Sequence, residues 1–428
     1  MNKETKKLIP ELRFPEFLSD RNWEERFVEE LFSVGSSKRV LQEDWTSNGV
    51  PFYRTRELVS LSKNEPFGSE IFISEDLFLE LSEKYGIPAE GDFLVSGVGT
   101  LGICYQVKAG DRFYFKDGNV LWFKLESGID STYIDSTYFK FCFQSDHIQK
   151  QIVKQTSIST VGTYTIQNAK KTTLWYPPKL NEQQKIASCL SSLDEVIAAH
   201  SQKLELLKDH KKGLMQNLFP QEGETVPKLR FPEFVNDGEW VERTLGEIGD
   251  FIGGGTPDTT REEYWNGNIQ WYTPTEVKEG ILEKSIRTIT EEGLSNSSAK
   301  LLPKGALLIT TRATIGDIAI ANSECTTNQG FQSLVVNKEE VNIFWYFWII
   351  HHKNELKRKS SGSTFPEIGK NEIVKIKVIR PEKAEQKKIA SCLSSLDELI
   401  TAQTEKIEQL KLHKKGLMQG LFPNSITN

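Results

Sequence analysis

The sequence predicts an α+β fold: two pseudo-symmetric, strand-containing globular domains joined by two long helices that form an intramolecular antiparallel coiled coil. Three observations carry this expectation. A set of motifs occurs twice in the same order. Two long segments keep an apolar heptad stripe. Between the copies lie divergent stretches with strand-like apolar runs ending in turns.

The duplication is explicit. LRFPEF occurs at residues 12–17 and 229–234, followed at the same interval by Trp23 and Trp240. KIASCLSSLDE occurs unchanged at 185–195 and 388–398, HKKGLMQ at 210–216 and 413–419, and LFP at 218–220 and 421–423. The expected organisation is a first globular domain at 1–180, a helix at 181–220, a second domain at 221–383, a helix at 384–423 and a tail at 424–428. The variable stretches share one faint pattern, GDFLVSGVGTLG at 91–102 and GALLITTRATIG at 305–316. Both read as a strand, a turn and a second strand.

The helices follow from spacing. In the first, apolar residues fall at Ile186, Leu190, Leu193, Ile197, Leu204, Leu207, Leu214 and Leu218, with His200 and Lys211 in the gaps. In the second they fall at Ile389, Leu393, Leu396, Ile400, Ile407, Leu410, Leu417 and Leu421, with Gln403 and Lys414 in the gaps. Steps of three and four repeated this long predict a coiled-coil seam. Each rod should be on the order of 50 Å long at 1.5 Å per residue. Pro220 and Pro423 block continuation. One stripe alone would leave leucines in water; two can bury each other at about 1.5–3 kcal/mol per side chain. Antiparallel packing needs only short links, and Gln221 to Lys228 suits one of them. The domains would then lie at opposite ends of the pair.

Composition bounds the function. The chain has 428 residues, 38% hydrophobic and 26% charged, enough for several cores and unlike a disordered chain. Five cysteines without a CxxC pair argue against a disulfide scaffold or a cysteine zinc site, and Cys189 and Cys392 read as buried free thiols. MNKETKKLIPEL lacks an apolar leader core, and the run IFWYFWII is far shorter than the ~20 residues that span a bilayer. A cytoplasmic protein with no membrane role is expected. The net charge of −6 does not exclude nucleic acid, because phosphate contacts depend on local charge.

No catalytic constellation emerges. GGGTP at 253–257 is not followed by the Lys-Ser or Lys-Thr of a phosphate-binding loop; it reads as a flexible turn, or else as amides for a DNA backbone. Asp258, Glu276 and Lys278 have the order of a metal-dependent nuclease, but the first unit has no counterpart. The histidines show no metal spacing, and His351-His352 reads as a surface pair. Basic stretches are more telling. Residues 147–179 hold five lysines and no acid; residues 351–380 hold eight Lys or Arg against three Glu, and Lys375 and Lys377 alternate with apolar residues as in a strand. Each has a hydroxyl-rich turn. The DNA-contact candidates are therefore Lys150, Lys154, Ser159, Thr160, Lys170 and Lys171 in the first unit. In the second they are Thr311, Arg312, Thr314, Asn328, Gln329, Lys357, Arg358, Lys359, Ser361, Ser363, Thr364, Lys375 and Lys377. Lys, Ser and Thr suit phosphates; Arg, Asn and Gln suit base edges.

LRFPEF with its later Trp, GGGTP followed by YWNGNIQWYTPTEV, TTNQGF, GSTFPEI, and AEQKKIASCLSSLDELI with HKKGLMQGLFP together resemble the specificity subunit of Type I restriction-modification systems. The resemblance spans nearly the whole chain and is fullest in the second unit; the first has ISTVGTY where the second has GSTFPEI, and no clear GGGTP. It implies two target recognition domains, each reading half of a bipartite asymmetric DNA sequence, and a coiled coil that fixes the gap. It implies no catalysis and no cofactor in this subunit. Two adenine methyltransferase subunits and two restriction-translocation subunits would bring S-adenosylmethionine, ATP and Mg2+. The alternatives are a metal-dependent DNA endonuclease and a coiled-coil adaptor that does not bind DNA.

Overall fold

The computed structural model describes residues 8–63, 70–125, 134–156, 162–312, 314–360 and 367–423. The chain forms two compact units. One runs to His200 and takes in the chain from Lys406 on; the other is Ser201–Glu405. Each heptad segment is one unbroken helix, Leu180–Leu218 and Lys383–Leu421, of 39 residues and so about 58 Å. None of the seam positions is exposed, whereas Leu206, Leu399 and Leu412 on other faces are.

The first unit contains two four-stranded sheets. One has the order Ser33–Gly35, Val120–Lys124, Phe93–Ser96, Cys104–Gln106, all antiparallel neighbours. The other has the order Trp45–Thr46, Phe72–Ile73, Val50–Tyr53, Tyr114–Phe115. A strand pair, Glu24–Phe27 with Thr173–Tyr176, closes the domain next to the start of the first rod. The second unit has a five-stranded sheet, in the order Gly249–Gly253, Gln332–Val336, Leu307–Ile309, Ile318–Ala321, Ile281–Leu282. It also has a three-stranded sheet of Arg287–Ile289, Trp265–Tyr272 and Cys325–Thr327, and the strand pair Val241–Thr244 with Lys377–Arg380. The strand expected around both lysines begins only at Lys377; Lys375 lies in the turn that leaves the helix Lys370–Ile373, because the amides of Val374, Lys375 and Ile376 still bond back to the carbonyls of Lys370, Glu372 and Ile373.

Each unit is completed by the end of a rod arriving from the opposite direction. In the first, Ile186, Ala187 and Leu190 at the start of one rod share a core with Leu421 and Phe422 at the end of the other. Trp23 and Tyr138 hold the Phe422 ring at 6.1 and 5.6 Å. In the second, Ile389, Ala390 and Leu393 share a core with Met215, Leu218 and Phe219. The helix ends are thus antiparallel within each unit. The two seam lysines serve this packing: Lys414 Nζ meets Asp194 at 2.6 Å in the first unit, and Lys211 Nζ meets Asp397 at 2.6 Å in the second. Each ammonium also lies over a phenyl ring, Phe141 or Phe347. The repeated KIASCLSSLDE therefore supplies the aspartate, and HKKGLMQ the lysine, of the same contact made twice.

LRFPEF ties the two ends together. Arg13 grips Glu182 at the start of the first rod with two bonds of 2.8 and 2.7 Å. Leu12 N donates to Gly420 O at the end of the second. Arg230 grips Glu385 at 2.9 and 2.8 Å, and Leu229 N donates to Asn217 O. A Cβ at Gly420 would stand 2.5 Å from the exposed Leu12 side chain, which would have to shift; the matching position of the other unit carries Asn217 and keeps the same backbone bond. The gripping pairs are almost wholly buried, 4% and 1% exposed in the first unit and 8% and 2% in the second.

Two residue readings change. Cys189 and Cys392 are half-exposed on their helices, off the seam, while Cys104, Cys142 and Cys325 are buried. His351 and His352 are only partly exposed: they come at the end of the aromatic helix Asn342–His351 and their rings pack inward. His351 stacks on Phe219 at 5.3 Å and His352 on Trp348 at 3.9 Å.

Removing one partner of the buried clamp leaves an uncompensated charge, so Arg230→Ala is expected to cost about 3–5 kcal/mol of stability in chemical denaturation. Lys377→Ala, which breaks only an exposed pair with Glu242, should cost less than about 1 kcal/mol. Burial pushes His352 down to about 4, against the opposing bond to the Trp348 carbonyl, and lowers His351 as well. The fold therefore holds neutral rings whose ordinary value is 6.5. Their contribution is fully present above about 6.5 and is lost as pH falls towards about 4. Denaturation midpoints at stepped pH should drop through that window, and less steeply in His352→Gln.

Candidate nucleic-acid interface

The two units share a hydrogen-bonded loop skeleton that their sequences barely reveal. In the first, Phe93–Ser96 and Cys104–Gln106 form a hairpin. Ser96 N bonds Ile103 O, Gly102 N bonds Ser96 O, and Ser96 Oγ donates to Thr100 O at 2.5 Å. In the second, Thr310 N bonds Asp317 O, Gly316 N bonds Thr310 O, and Thr310 Oγ1 donates to Thr314 O at 2.6 Å. Gly102 and Gly316 occupy the same left-handed position, with φ of 71° and 82°. A returning segment then docks on each hairpin. Val98 bridges Thr163 and Arg312 bridges Glu367, while Tyr164 N bonds Gly97 O and Ile368 N bonds Thr311 O. Ser96 and Thr310 are matched hydroxyl anchors; the divergence lies at the tips.

In the second unit further loops converge on this skeleton. Thr311 N donates to Gly330 O, and Asn328 N to Tyr272 O. Gly255 N donates to Thr327 O at 2.8 Å, and Trp271 Nε1 to Gly255 O at 2.9 Å. Thr256 Oγ1 donates to Gln329 Oε1 at 2.6 Å. GGGTP is therefore not a loose turn. A Cβ on Gly254 would lie 2.0 Å from Asn328 O and 2.4 Å from Thr327 O, so the glycines let one loop lie directly on the next. The nuclease-like acids serve the same turns. Asp258 accepts from Thr260 N and Oγ1, which hold its carboxyl below the usual range. Glu276 accepts from Thr273 N and from Ile286 N at 2.8 and 2.7 Å. Among the described residues, no group of three or more His, Cys, Asp or Glu is placed to hold a metal ion. No helix among them is long and apolar enough to cross a membrane.

The residues singled out by sequence fall into four groups. Thr311, Arg312, Thr314, Asn328 and Gln329 come together on the bonded loops. Thr311 is buried; Arg312, Thr314 and Gln329 are exposed. Asn328 Oδ1 accepts from Gly330 N at 2.8 Å, and Gln329 Oε1 from Thr256 Oγ1, so each amide oxygen already holds one bond on these loops. A second set stands on exposed helix surface: Lys150 and Lys154 on Asp146–Thr156, with Lys170, half-buried, and Lys171 at the end of Ile166–Lys170. Lys357, Arg358 and Lys359 end the helix Lys353–Arg358, where Arg358 meets Glu222 at 3.6 Å. Lys375 is exposed, and Lys377 is bonded to Glu242 at 2.9 Å beside the strand pair. Ser159, Thr160, Ser361, Ser363 and Thr364 lie outside the described residues.

Sequence reasoning missed Glu367 and Thr256. Glu367 meets Arg312 Nε at 2.9 Å, with both side chains about half exposed. The signal was present: Glu367 belongs to the quoted motif GSTFPEI and Thr256 to GGGTP, but neither residue was singled out.

Comparison with known proteins gives a consistent result. The family model described as Type I restriction modification DNA specificity domain matches residues 20–209 and again 237–412. The chain is 36% identical over 182 residues to the Type I restriction enzyme MjaIX specificity subunit of Methanocaldococcus jannaschii, covering 41% of this chain and 42% of that protein. It is 26% identical over 414 residues to the putative MjaX specificity subunit of the same organism, covering 95% of this chain and 94% of that one. The fold is similar to the crystal structure of the Type I restriction-modification system S subunit from M. genitalium. The TM-score is 0.58 at 18% identity, over 97% of this chain and 100% of that one.

Proposed function

Because the chain belongs to the family of Type I restriction-modification DNA specificity subunits, we propose that each of its two units reads one half of a bipartite, asymmetric duplex sequence, and that the paired helices set the gap between the halves. The specificity role is non-catalytic. The recognition domains are assigned to 1–180 and 221–383, and the spacer rods to 181–220 and 384–423. The observation that carries the reading is the shared hairpin skeleton with unlike tips, Val98 and Thr163 in one unit against Arg312 and Glu367 in the other. One scaffold used twice with different side chains is what two different half-sites require. The candidate phosphate contacts are Lys150, Lys154, Lys170 and Lys171 in the first unit and Lys357, Arg358, Lys359, Lys375 and Lys377 in the second, with the hydroxyls Ser159, Thr160, Ser361, Ser363 and Thr364.

The chain works as part of a Type I restriction-modification complex. Two methyltransferase subunits would methylate adenine with S-adenosylmethionine, and two restriction-translocation subunits would use ATP and Mg2+. Such a complex acts on chromosomal and incoming DNA in the cytoplasm. Joining two weak half-site contacts by a stiff spacer raises the effective concentration of the second once the first has bound.

The rods provide the test. One heptad added to each rod at facing positions keeps the seam and lengthens it by about 10 Å, close to three base pairs. Mapping methylated adenines in cells that carry the full system should show the same half-sites across a wider gap. Altered half-sites with an unchanged gap would defeat the reading. Methylation or cleavage by the purified chain alone, given S-adenosylmethionine and Mg2+, would favour an enzyme instead.

A further inference from the structure

The pair Arg312–Glu367 has features that its surroundings do not need. Its backbone is already fixed: the two residues form an antiparallel bridge, Ile368 N bonds Thr311 O, and buried Thr311 is tied to Gly330. Its charged ends are free of that scaffold, 48% and 43% exposed and 2.9 Å apart. A pair this exposed adds little to stability. It also attracts phosphate poorly, because the carboxylate cancels the guanidinium charge and repels a neighbouring phosphate. What remains is a donor fork and an acceptor held side by side on a hydrogen-bonded backbone bridge.

We propose that Arg312 and Glu367 together read one guanine–cytosine pair in the major groove, which makes them specificity-determining residues of the second unit. Guanine alone offers two adjacent acceptors, O6 and N7, that match a guanidinium fork, and cytosine offers the N4 donor that a carboxylate accepts. The ion pair holds the two heads beside each other before DNA arrives, so less side-chain freedom is lost on binding. The first unit gives an internal comparison. Its bridge joins Val98 and Thr163, an apolar and a hydroxyl side chain on the same backbone frame. That tip has no charge with which to read guanine–cytosine, so the two half-sites differ at the corresponding step. The inference rests on the reading of the units as DNA-recognition domains.

The experiment maps methylated adenines in cells carrying the complete system with wild-type chain, Arg312→Ala, Glu367→Gln or both. One guanine–cytosine position in one half-site should lose its stringency, with preference falling roughly 10- to 100-fold. Both single variants should relax that same position, and the double variant should do little more than Arg312→Ala, because the residues act as a unit. The other half-site and the gap should stay as they are. Unchanged stringency at every position, or relaxation at different positions in the two variants, would overturn the proposal. Where methylation is too weak to map, purified complexes binding cognate and singly altered duplexes across a salt series decide. Equal weakening on all duplexes, with a salt slope smaller by about one, would mark a phosphate contact and also overturn it. If wild-type chain itself directs no bipartite methylation, the functional reading falls, which is a separate result.

Discussion

Each unit depends on a helix end that its own globular chain does not supply. Phe422 stands at the centre of the first core, against Trp23 and Tyr138, although it comes almost last in the sequence. Phe219 does the same in the second, against Phe344 and His351. Without these ends Tyr138 on the aromatic helix Ser136–Phe143, and Phe344 and His351 on Asn342–His351, would lose the rings that cover them. The buried arginine of LRFPEF makes the arrangement directional. It reaches the carboxylate at the start of one rod while the preceding backbone amide holds the end of the other, so a parallel pair could not satisfy both. Apolar burial provides most of the stability; the ion pair and the amide provide the orientation.

This division explains what the sequence disclosed. The rods were legible because a seam must repeat every three and four residues and tolerates few exceptions. The exceptions themselves, Lys211 and Lys414, were readable as positions, but their partners Asp397 and Asp194 were not, since facing residues in an antiparallel pair depend on register. The histidine pair was misread for a related reason. Two adjacent imidazoles beside a lysine suggest solvent, yet the helix before them is apolar on every side and carries them inward against Phe219 and Trp348. Lys375 was assigned to a strand on alternation alone, which cannot detect that the preceding turn takes the backbone first.

The loops were the least legible part, and the hydrogen bonds show why. The hairpins at 93–106 and 307–321 share few identical residues but the same bonds, because a buried amide must find an acceptor whatever side chain its residue carries. Beside the buried strand residues, three kinds of position are constrained: the left-handed glycine, the hydroxyl that returns to its own loop, and the glycines of GGGTP where two backbones touch. The exposed positions between them are free to change. A recognition surface built this way can alter what it binds without altering how it folds, which is why the tips of the two units diverge while their frames agree.

Charge follows the same logic. A count of lysines and arginines across 351–380 suggests a strongly cationic face, but many of these groups are engaged. Lys353 bonds Asp317, Arg358 meets Glu222, Lys377 meets Glu242 and Arg380 meets Glu340. With a net charge of −6 on the whole chain, long-range attraction to DNA is weak for such a surface. A specificity subunit gains from that weakness. Phosphate attraction acts on all sequences equally and lowers the ratio between correct and incorrect sites, whereas paired charges on a fixed frame respond to the order of donors and acceptors in the groove. In the proposed reading, the acidic balance of the chain and the pairing of its exposed cations are two expressions of one requirement, that binding depend on base sequence more than on the presence of DNA.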